Sequence, residues 1–323
     1  MKTSTNIQLD NQHCYVNGLS PINRGKTRDI YPTKDSKHLI IVSTDRISTH
    51  NIVHNTMIPA KGIVLTAFTI FWIQKMREML PESLGFCDHL VAFGQDIEPY
   101  LIQEGVVYSE DFFERAIVVK KLVMIPFEFI YRRFLTGSLY KSYQKGSNPY
   151  GITLGTNLEN MSKFQNVIFT PTEKSENDDP VCCLPVVTNF PDAVSKGLYV
   201  FRQIEKILNK SGIELVDSKF EFGIDPDTKE LCLADEIGTP DSSRFCHSDS
   251  INIGCDPEWA DKQIARNYAE KYWKDSGLDN KGPISFPPEI IDQLETTYLS
   301  LFHGISGIFL RDFCAQYNSS KVF

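Results

Sequence analysis

The stretch from Ile213 to Glu236, IELVDSKFEFGIDPDTKELCLADE, is the most informative part of this sequence. Two extended segments, 213–224 and 231–236, flank the turn-forming residues DPDTKE, and this pattern predicts a β-hairpin. Strand alternation then places the charged residues of the first segment on one face of the hairpin. These residues are Asp217, Lys219 and Glu221.

The return segment ends in two acids, Asp235 and Glu236. Magnesium binds oxygen ligands and is usually held by one or two carboxylates together with substrate phosphates. Glu221 and Asp235, on neighbouring strands, could supply such a pair. The alternative is a half-buried strand whose charged face is simply solvated.

Composition indicates a compact globular protein. The chain has 323 residues, of which 41% are hydrophobic and 23% charged, so it can form one large or two moderate domains. The formal net charge of −8 argues against nucleic acid as a partner, because such binding needs clustered Lys and Arg.

The eight cysteines include no C-x-x-C pair, and the sequence begins without an apolar signal segment. Reduced thiols and a cytoplasmic location are therefore expected. The longest mostly apolar run, Ile63 to Ile73, is shorter than the ~20 residues that span a bilayer, so no membrane anchor is expected.

Other elements follow from hydrophobic periodicity. A strand is predicted at 38–43, and a helix with mainly one apolar face is predicted from Val64 to Met79, ending at Pro81. Further predicted elements are a strand at 116–122, a strand at 127–136, a short helix ending at Gly146, a helix at 191–210 and a helical last third. Residues 146–190 are rich in Gly, Asn, Thr and Pro and predict a long loop region.

Three basic segments are candidates for binding anions. GKTRDIY (25–31) places Lys26 just after Gly25, although it is not a Walker A loop and a basic turn is common. YRRFLTGSLYKSY brings Arg132, Arg133 and Ser138 to a predicted helix start, where guanidinium groups and free N–H groups can bind phosphate, although a solvated basic strand end is an equal alternative. PDSSRF (240–245) could add Arg244 from a loop, or serve only as a turn.

Taken together and in this order, these segments resemble the SAICAR synthetase family. The matching stretches between residues 24 and 245 are RGKTRDIY, STDRIS, IPAKG, VKKLVMIPFEFIYRRFLTGS, IFTPTEKSE, VDSKFEFGID and LADEIGTPDSSRF. Each is weak alone, but seven in family order form a specific pattern.

His50, His54 and His247 lack metal-ligand spacing and are expected to be surface or packing residues.

The resemblance implies an ATP- and Mg²⁺-dependent ligase of purine biosynthesis. It would join 5-amino-1-(5-phosphoribosyl)imidazole-4-carboxylate to L-aspartate through an acyl phosphate. Such a route is chemically reasonable, since a carboxylate is a poor electrophile and an acyl phosphate expels phosphate readily. Phosphoryl transfer itself needs mainly alignment and cations. The expected partners are these small molecules, with no nucleic acid or membrane, in a monomer or homodimer.

The resemblance also implies residue roles. Gly25 and Lys26 would contact the nucleotide phosphates, Glu128 would lie near its ribose, and Glu221 and Asp235 would hold magnesium. The other implied roles are as follows: Arg132, Ser138 and Arg244 for the ribose phosphate, Asp217 and Lys219 at the reacting centre, and Asp45, Arg46, Ser48 and Lys61 at the cleft from the small lobe.

Several positions depart from the family pattern. His50 and Asn51 replace an aromatic-acid pair, Ala60 and Arg133 replace glycines, and Cys246 replaces a tryptophan. After TEKSE, NDDPVCC replaces a His-Asp-Glu stretch. These departures bear most on the aspartate subsite and on the loop 170–185 expected from the resemblance.

The resemblance implies an α+β fold of two lobes with ATP in the cleft between them. A smaller β-rich lobe would comprise residues 1–123 and a larger mixed α/β lobe residues 124–323. Two alternatives are a small-molecule kinase, although H-R-D and D-F-G elements are absent, and a nucleotide-binding homologue that has lost catalysis.

Overall fold

The protein is an assembly of two main β-sheets joined and covered by helices, seen here in a computed structural model that describes residues 15–79, 86–174, 179–277 and 281–318. Within these ranges the strands are β1 Val16–Asn17, β2 Asn23–Arg24, β3 Arg28–Pro32, β4 His38–Ser43, β5 Arg46–Thr49, β6 Ile52–Met57, β7 Cys87–Asp88, β8 Leu90–Phe93, β9 Val107–Tyr108, β10 Ala116–Lys120, β11 Val123–Met124, β12 Phe127–Leu135, β13 Ser162–Phe169, β14 Thr172–Glu173, β15 Ile213–Ile224, β16 Leu231–Ala234 and β17 Ser243–His247. The α-helices are α1 Lys61–Met79, α2 Phe112–Arg115, α3 Gly137–Gln144, α4 Cys183–Asn189, α5 Pro191–Leu208, α6 Gln263–Asp275, α7 Pro288–Ser306 and α8 Leu310–Asn318. This mixture confirms the α+β class.

The first sheet has the order β2-β3-β4-β10-β8, and every neighbouring pair is antiparallel. Alternation along β4 sends Ile40 and Val42 into a cluster on one face, while Leu39 and Ile41 pack against the main core on the other. Both faces of this sheet are therefore covered.

The second sheet is built around β15. Its main path is β13-β12-β15-β16-β7, and β11, β14 and β17 add to it at the side. The predicted hairpin is confirmed, since β15 pairs antiparallel with β16 and Glu221 lies opposite Ala234. Phe220 and Phe222, between the charged residues of β15, are fully buried in the main core.

Helix α1 differs from its predicted amphipathic pattern. It occupies the predicted region, but its buried residues include Thr66, Ile70 and Ile73 on the side of the helix opposite Phe68 and Trp72. It packs against β4 and β8 on one side and against α5, α7 and α8 on others, so nearly its whole circumference is covered. Pro81, expected to end it, lies outside the described residues.

Two sequence expectations about regular structure were wrong. The region 146–190 is not one long loop, because it contains β13, β14 and α4. Likewise the last third is not only helical, because β17 adds to the large sheet beside β15. The three missed strands take their conformation from a long neighbouring strand, β12 or β15, rather than from a strong pattern of their own.

The expectation of reduced thiols was wrong for one pair. Cys87 and Cys232 form a disulfide, and they are register partners on the parallel strands β7 and β16 with their Cα atoms 4.5 Å apart. A sequence separation of 145 residues hid this contact. The described thiols at 182, 183, 246, 255 and 314 are free.

A tight hairpin joins β5 and β6. Thr49 pairs with Ile52, so His50 and Asn51 form a two-residue turn, and both have positive φ, 51° and 63°. Two left-handed residues are typical of a type I′ turn. In the parts of the chain that the structure describes, no helix has the length and apolar character needed to cross a bilayer.

Candidate active site

The charged face of β15 meets three other strands. Asp217 lies opposite Arg132 of β12 and Arg244 of β17, while Glu221 lies beside β16. One strand thus presents an arginine-rich end and a carboxylate-rich end, separated by Lys219. The sequence prediction that residues 217, 219 and 221 share a face is consistent with these contacts.

The arginine-rich end is centred on Asp217. Arg132 Nη1 lies 3.1 Å from Asp217 Oδ2, and Arg244 Nη2 lies 2.8 Å from the same oxygen. Arg132 Nη2 also reaches Ser138 Oγ, at 3.4 Å. Burial is the largest influence on Arg132, and it lowers the pKa of this guanidinium. The expected phosphate-binding residues are therefore brought together.

Gly137 explains how closely Arg244 approaches the start of α3. Its φ of 58° is left-handed, and a Cβ at this position would lie 2.3 Å from Arg244 Nη1. Glycine therefore lets the guanidinium lie against the first turn of the helix, whose N–H groups have no partner within the helix. Arginines beside a helix start form a strong anion-binding arrangement.

Arg133, the neighbour of Arg132, does not belong to this cluster. Strand alternation turns it to the other face of β12, where Nε and Nη2 bind the two carboxylate oxygens of Glu205 at 2.5 and 2.7 Å. Arg133 therefore ties β12 to α5 and is not part of the anion site.

At the other end of β15, lysines and glutamates alternate. Lys219 Nζ lies 2.7 Å from Glu128 Oε1 and 3.4 Å from Glu221 Oε1, and Lys174 also pairs with Glu221. Thr172 donates a hydrogen bond of 2.7 Å to Glu128. Burial alone would lower the pKa of Lys219, but Glu221 and Glu128 raise it well above its usual range, so this lysine is charged.

Asp235 completes the carboxylate-rich end. It follows β16 with a φ of 62°, an unusual conformation for a residue other than glycine, and such backbone strain is often found at functional sites. Arg28 binds it bidentately, at 2.5 and 2.8 Å, and also approaches Glu236 at 3.5 Å. Burial would raise the pKa of Asp235, but Arg28 and Lys219 hold it well below its usual range.

The Gly25–Lys26 loop lies just before Arg28, the partner of Asp235. Lys26 is exposed, and its Nζ donates to Asn51 Oδ1 at 2.5 Å. Arg46 supports the loop from beneath, since its guanidinium donates to the carbonyl oxygens of Gly25 and Lys26 and pairs with Asp29 at 2.6 Å. Arg46 therefore positions the loop and does not itself face the cleft.

The structure places three expected cleft residues in buried positions. Lys61 is completely buried and binds Asp241 at 2.8 Å. Asp45 accepts a hydrogen bond from Gly62 N at 2.8 Å and pairs with Arg115. Ser48 is buried within β5. Buried ion pairs of this kind fix the geometry of neighbouring elements.

Sequence reasoning missed four cations near the site. Arg28 lies within GKTRDIY and Lys174 within the TEKSE stretch, so the motifs were found, but the pairing of these side chains with Asp235 and Glu221 was not predicted. The other two, Lys262 and Arg266, lie four residues apart at the start of α6, where only their helical spacing gives a signal.

His50 and His54 contact residues outside the carboxylate-rich and arginine-rich ends of β15. His54 is buried between Thr49 Oγ1 and Ile284 N, and His50 contacts Glu270. In the described ranges no group of three or more His, Cys, Asp or Glu side chains is arranged to hold a metal ion. Any metal here would therefore depend on few protein carboxylates together with oxygens from a substrate.

Comparison with known proteins gives a consistent result. The family model described as SAICAR synthetase matches residues 21–278. The chain is 32% identical to the phosphoribosylaminoimidazole-succinocarboxamide synthase of Methylobacillus flagellatus, covering 91% of this chain and 97% of the relative. It is 31% identical to the synthase of the same name from Saccharomyces cerevisiae, covering 90% and 96%.

Solved structures agree with the sequence relatives. The Saccharomyces cerevisiae SAICAR synthase complexed with SAICAR superposes with a TM-score of 0.77 at 30% identity, covering 91% of this chain and 96% of that one. A SAICAR synthetase in complex with ADP has a TM-score of 0.62 at 20% identity, covering 89% and 98%, and supports the fold.

Proposed function

The chain belongs to the SAICAR synthetase family, and from this membership we propose how its site performs the family reaction. The protein is a ligase of purine biosynthesis that uses ATP to join 5-amino-1-(5-phosphoribosyl)imidazole-4-carboxylate to L-aspartate. The observation that best supports this assignment to the site is the charge pattern along β15, with two arginines at Asp217 and two carboxylates around Lys219.

Arg132, Ser138 and Arg244 would bind the phosphate of the ribonucleotide. A phosphate dianion fits two guanidinium groups, a hydroxyl and a helix start. Asp217 fixes both arginines and keeps their planes oriented. The imidazole carboxylate would then extend along β15 toward Lys219.

ATP would lie with its phosphates between the Gly25–Lys26 loop and the end of β16, and its ribose near Glu128. Lys26 is the exposed cation on one side. Glu221 and Asp235 fit a magnesium site on the other, because Glu221 lies opposite Ala234, the residue directly before Asp235, so that two carboxylates end up on neighbouring strands. Magnesium bound there would neutralise charge on the phosphates.

The chemistry has two steps. First, a carboxylate oxygen of the ribonucleotide attacks the γ-phosphorus of ATP, and ADP leaves, which gives an acyl phosphate. Then the amine of aspartate attacks the acyl carbon, phosphate leaves, and the amine loses a proton. Lys219 would offset the developing negative charge, and Asp217 is the candidate for receiving the proton.

We also propose the division of the chain into residues 1–123 and 124–323. The five-stranded sheet lies entirely in the first part and most of the large sheet in the second. Pro126 stands between β11 and β12, near the proposed boundary. Strand β7 is an exception, since it belongs to the first part but joins the large sheet. We further propose that the enzyme acts in the cytoplasm.

The function is tested by following ADP release while each substrate is left out in turn. The expected result is that turnover requires both the imidazole carboxylate and L-aspartate. ADP release without the amine, at the full rate, would instead support a small-molecule kinase.

The metal site is tested with Glu221→Gln. We expect kcat to fall by roughly 100-fold and the magnesium requirement to rise, because a ligand and a negative charge are lost. Glu214→Gln is the matched control, since Glu214 lies on the same strand but pairs with Lys163 at the surface. Unchanged kcat and unchanged magnesium dependence in Glu221→Gln would remove this residue from the site.

A further inference from the structure

The disulfide between Cys87 and Cys232 crosses the proposed boundary between the two parts of the chain. Cys87 begins β7, a two-residue strand of the first part that joins the large sheet, and Cys232 is its register partner on β16. A strand this short forms few ladder hydrogen bonds, so the covalent link contributes much of the hold between β7 and β16. Cys232 stands three residues before Asp235, the proposed metal ligand.

Contacts extend from the disulfide to both sides. Toward the large sheet, His89 N donates to Leu233 O at 3.0 Å, which places the β7 segment directly against the residues that lead to Asp235. Toward the first part, Asp88 binds Arg77 of α1 with both carboxylate oxygens, at 2.7 and 2.8 Å. The segment that carries Asp235 is therefore linked through the disulfide to a helix of the first part.

The two sulfur atoms differ in access and in charge environment. Cys87 is partly exposed, whereas Cys232 is fully buried. Lys120 Nζ lies 3.5 Å from Cys87 Sγ. An ammonium group at this distance attracts an incoming thiolate and stabilises negative charge on sulfur. Thiol–disulfide exchange at this bond therefore begins at Cys87.

A disulfide is unexpected in the cytoplasm, where we place this enzyme. Cellular reductants keep most cysteines reduced there, and the disulfides that do form are usually transient, catalytic or redox-sensing. Burial raises the pKa of the free thiol of Cys183 to about 11 and the pKa of Cys246 and Cys314 to about 12, so these thiols are neutral and slow to react. The Cys87–Cys232 pair differs from them in both state and surroundings.

We propose that Cys87 and Cys232 form a reversible thiol–disulfide site whose reaction partner is a dithiol reductant, and that the closed bond holds Asp235 in place for magnesium and ATP. This inference rests on the proposed function, which gives Asp235 its metal-binding role. Opening the bond lets β7 separate from β16. The carboxylate is then held less firmly, and the metal binds more weakly.

The exchange takes two steps. A thiolate of the reductant attacks Cys87 Sγ, a mixed disulfide forms, and Cys232 leaves as a thiolate. The second thiolate of the reductant attacks the reductant sulfur of the mixed disulfide, and Cys87 leaves as a thiolate beside Lys120. Both cysteine thiolates take up the protons that the dithiol has released. Two electrons and two protons thus pass to the protein, and the reductant becomes a disulfide.

The first test compares the two states of the whole wild-type chain. Dithiothreitol opens the bond and glutathione disulfide closes it, and alkylation followed by mass spectrometry reports the state of each cysteine. We expect the reduced protein to need roughly 5-fold more magnesium and to have a KM for ATP roughly 5-fold higher, while KM for the ribonucleotide changes little.

Two variants accompany this comparison. Cys87→Ser cannot form the bond, so it should behave like the reduced wild type under both conditions. Cys255→Ser is the matched control, since it removes an exposed free thiol and should respond to both reagents as the wild type does.

A second measurement does not depend on turnover. If the closed bond strengthens nucleotide binding by a factor of roughly 5, magnesium and ADP must favour the closed bond by the same factor. Saturating magnesium and ADP should therefore lower the reduction potential of the pair by about 20 mV in a thiol–disulfide buffer. Lys120→Gln should slow opening of the bond by roughly 3- to 10-fold, because the cation beside Cys87 is lost.

Three outcomes would overturn the inference. Equal magnesium requirements in the two states, with the bond shown to be open in one and closed in the other, would separate the disulfide from Asp235. A bond that dithiothreitol opens only after unfolding, or one that glutathione disulfide does not close, would not be a reversible site. The wild type alone decides these points even if Cys87→Ser does not fold. Failure of the proposed function would appear differently, as an absence of product in both states with the reduction potential still measurable.

Discussion

At the scale of single residues, a left-handed backbone conformation marks local strain in this structure. Ala60, directly before α1, has a φ of 58°, where the family pattern has glycine. Its carbonyl accepts the hydrogen bond from Val64 N at 3.0 Å, so its conformation is fixed by the start of the helix. A left-handed residue with a Cβ costs ~1–2 kcal/mol. The departure from glycine at this position therefore leaves local strain.

Ala60→Gly should stabilise the protein by about 0.5–1 kcal/mol. Relief of the strain exceeds the added entropy of the unfolded chain, which is ~0.4–1 kcal/mol. Urea unfolding gives the comparison, with Ala67→Gly in the middle of α1 as the control. The control should lose at least ~1 kcal/mol, since it adds a glycine to a regular buried helix. A loss of stability in Ala60→Gly would show that the methyl group packs favourably.

At the scale of elements, the contact between α5 and the large sheet depends on a glycine. A Cβ at Gly197 would lie 2.5 Å from the hydroxyl oxygen of Tyr131, which itself donates to Val194 O at 2.7 Å. Tyr131 is almost fully buried and cannot move aside easily. The helix thus approaches β12 more closely than any larger residue at position 197 would allow.

Substitution of two helix glycines by alanine should therefore have different effects on the stability of the protein. Gly197→Ala should destabilise the protein by ~1–3 kcal/mol through overpacking, despite the better helix propensity of alanine. Gly304→Ala in α7 should be neutral or stabilising by up to ~1 kcal/mol, because its Cβ would meet only Ile213 Cδ1 at an ordinary 3.8 Å. Thermal unfolding of both variants tests the pair, and equal shifts would contradict it.

Elements with their own periodicity could be predicted from the sequence, and those defined by partners could not. The hydrophobic patterns at β4, β12, α5 and the β15–β16 hairpin were sufficient to predict these elements. β13 was missed because it pairs with β12 alone and has few buried residues to give alternation. β17 is only five residues long, and its pairing with β15 determines its conformation.

The residues of the site could likewise be predicted only where a local sequence pattern groups them. Alternation along one strand was enough to group Asp217, Lys219 and Glu221. The partner of Asp235 was not found, because Arg28 is 207 residues away in sequence. Lys61 was placed at the cleft by resemblance, whereas its complete burial depends on packing that no local pattern encodes.

At the scale of the whole molecule, a C-terminal segment crosses the N-terminal hairpin strand β6. Ile284 N donates to His54 Nδ1 at 3.3 Å, and Phe286 N donates to Thr56 Oγ1 at 2.8 Å. Because Nδ1 accepts, the proton of neutral His54 must lie on Nε2, facing Thr49 Oγ1. Protonation at Nδ1 would break the hydrogen bond between His54 and Ile284.

His54 should make folding stability depend on pH. Burial lowers its pKa to about 4 from an ordinary 6.5, so the unfolded chain takes up the proton first and stability falls as pH drops from 6.5 toward 4. Buried His89 acts in the same direction, and Asp261, with its raised pKa, acts against it. The contribution of His54 is therefore visible only as a difference between variants.

Between pH 7 and pH 5 the wild type should lose about 2 kcal/mol more than His54→Gln, at ~1.4 kcal/mol per pH unit. Urea unfolding at several pH values measures this difference. His247→Gln, at an exposed histidine, is the control and should follow the wild type. Parallel curves for all three proteins would mean that His54 accepts its proton without loss of structure.

The two-residue turn between β5 and β6 has a consequence for cooperativity. Asn51 holds the ammonium group of Lys26 in the loop assigned to the nucleotide, while the adjacent His50 holds Glu270 on α6. A ligand that orders Lys26 should also restrain Glu270, because both residues are held by the same two-residue turn. The nucleotide and a ligand bound against α6 should thus raise each other's affinity by equal factors, as thermodynamic reciprocity requires.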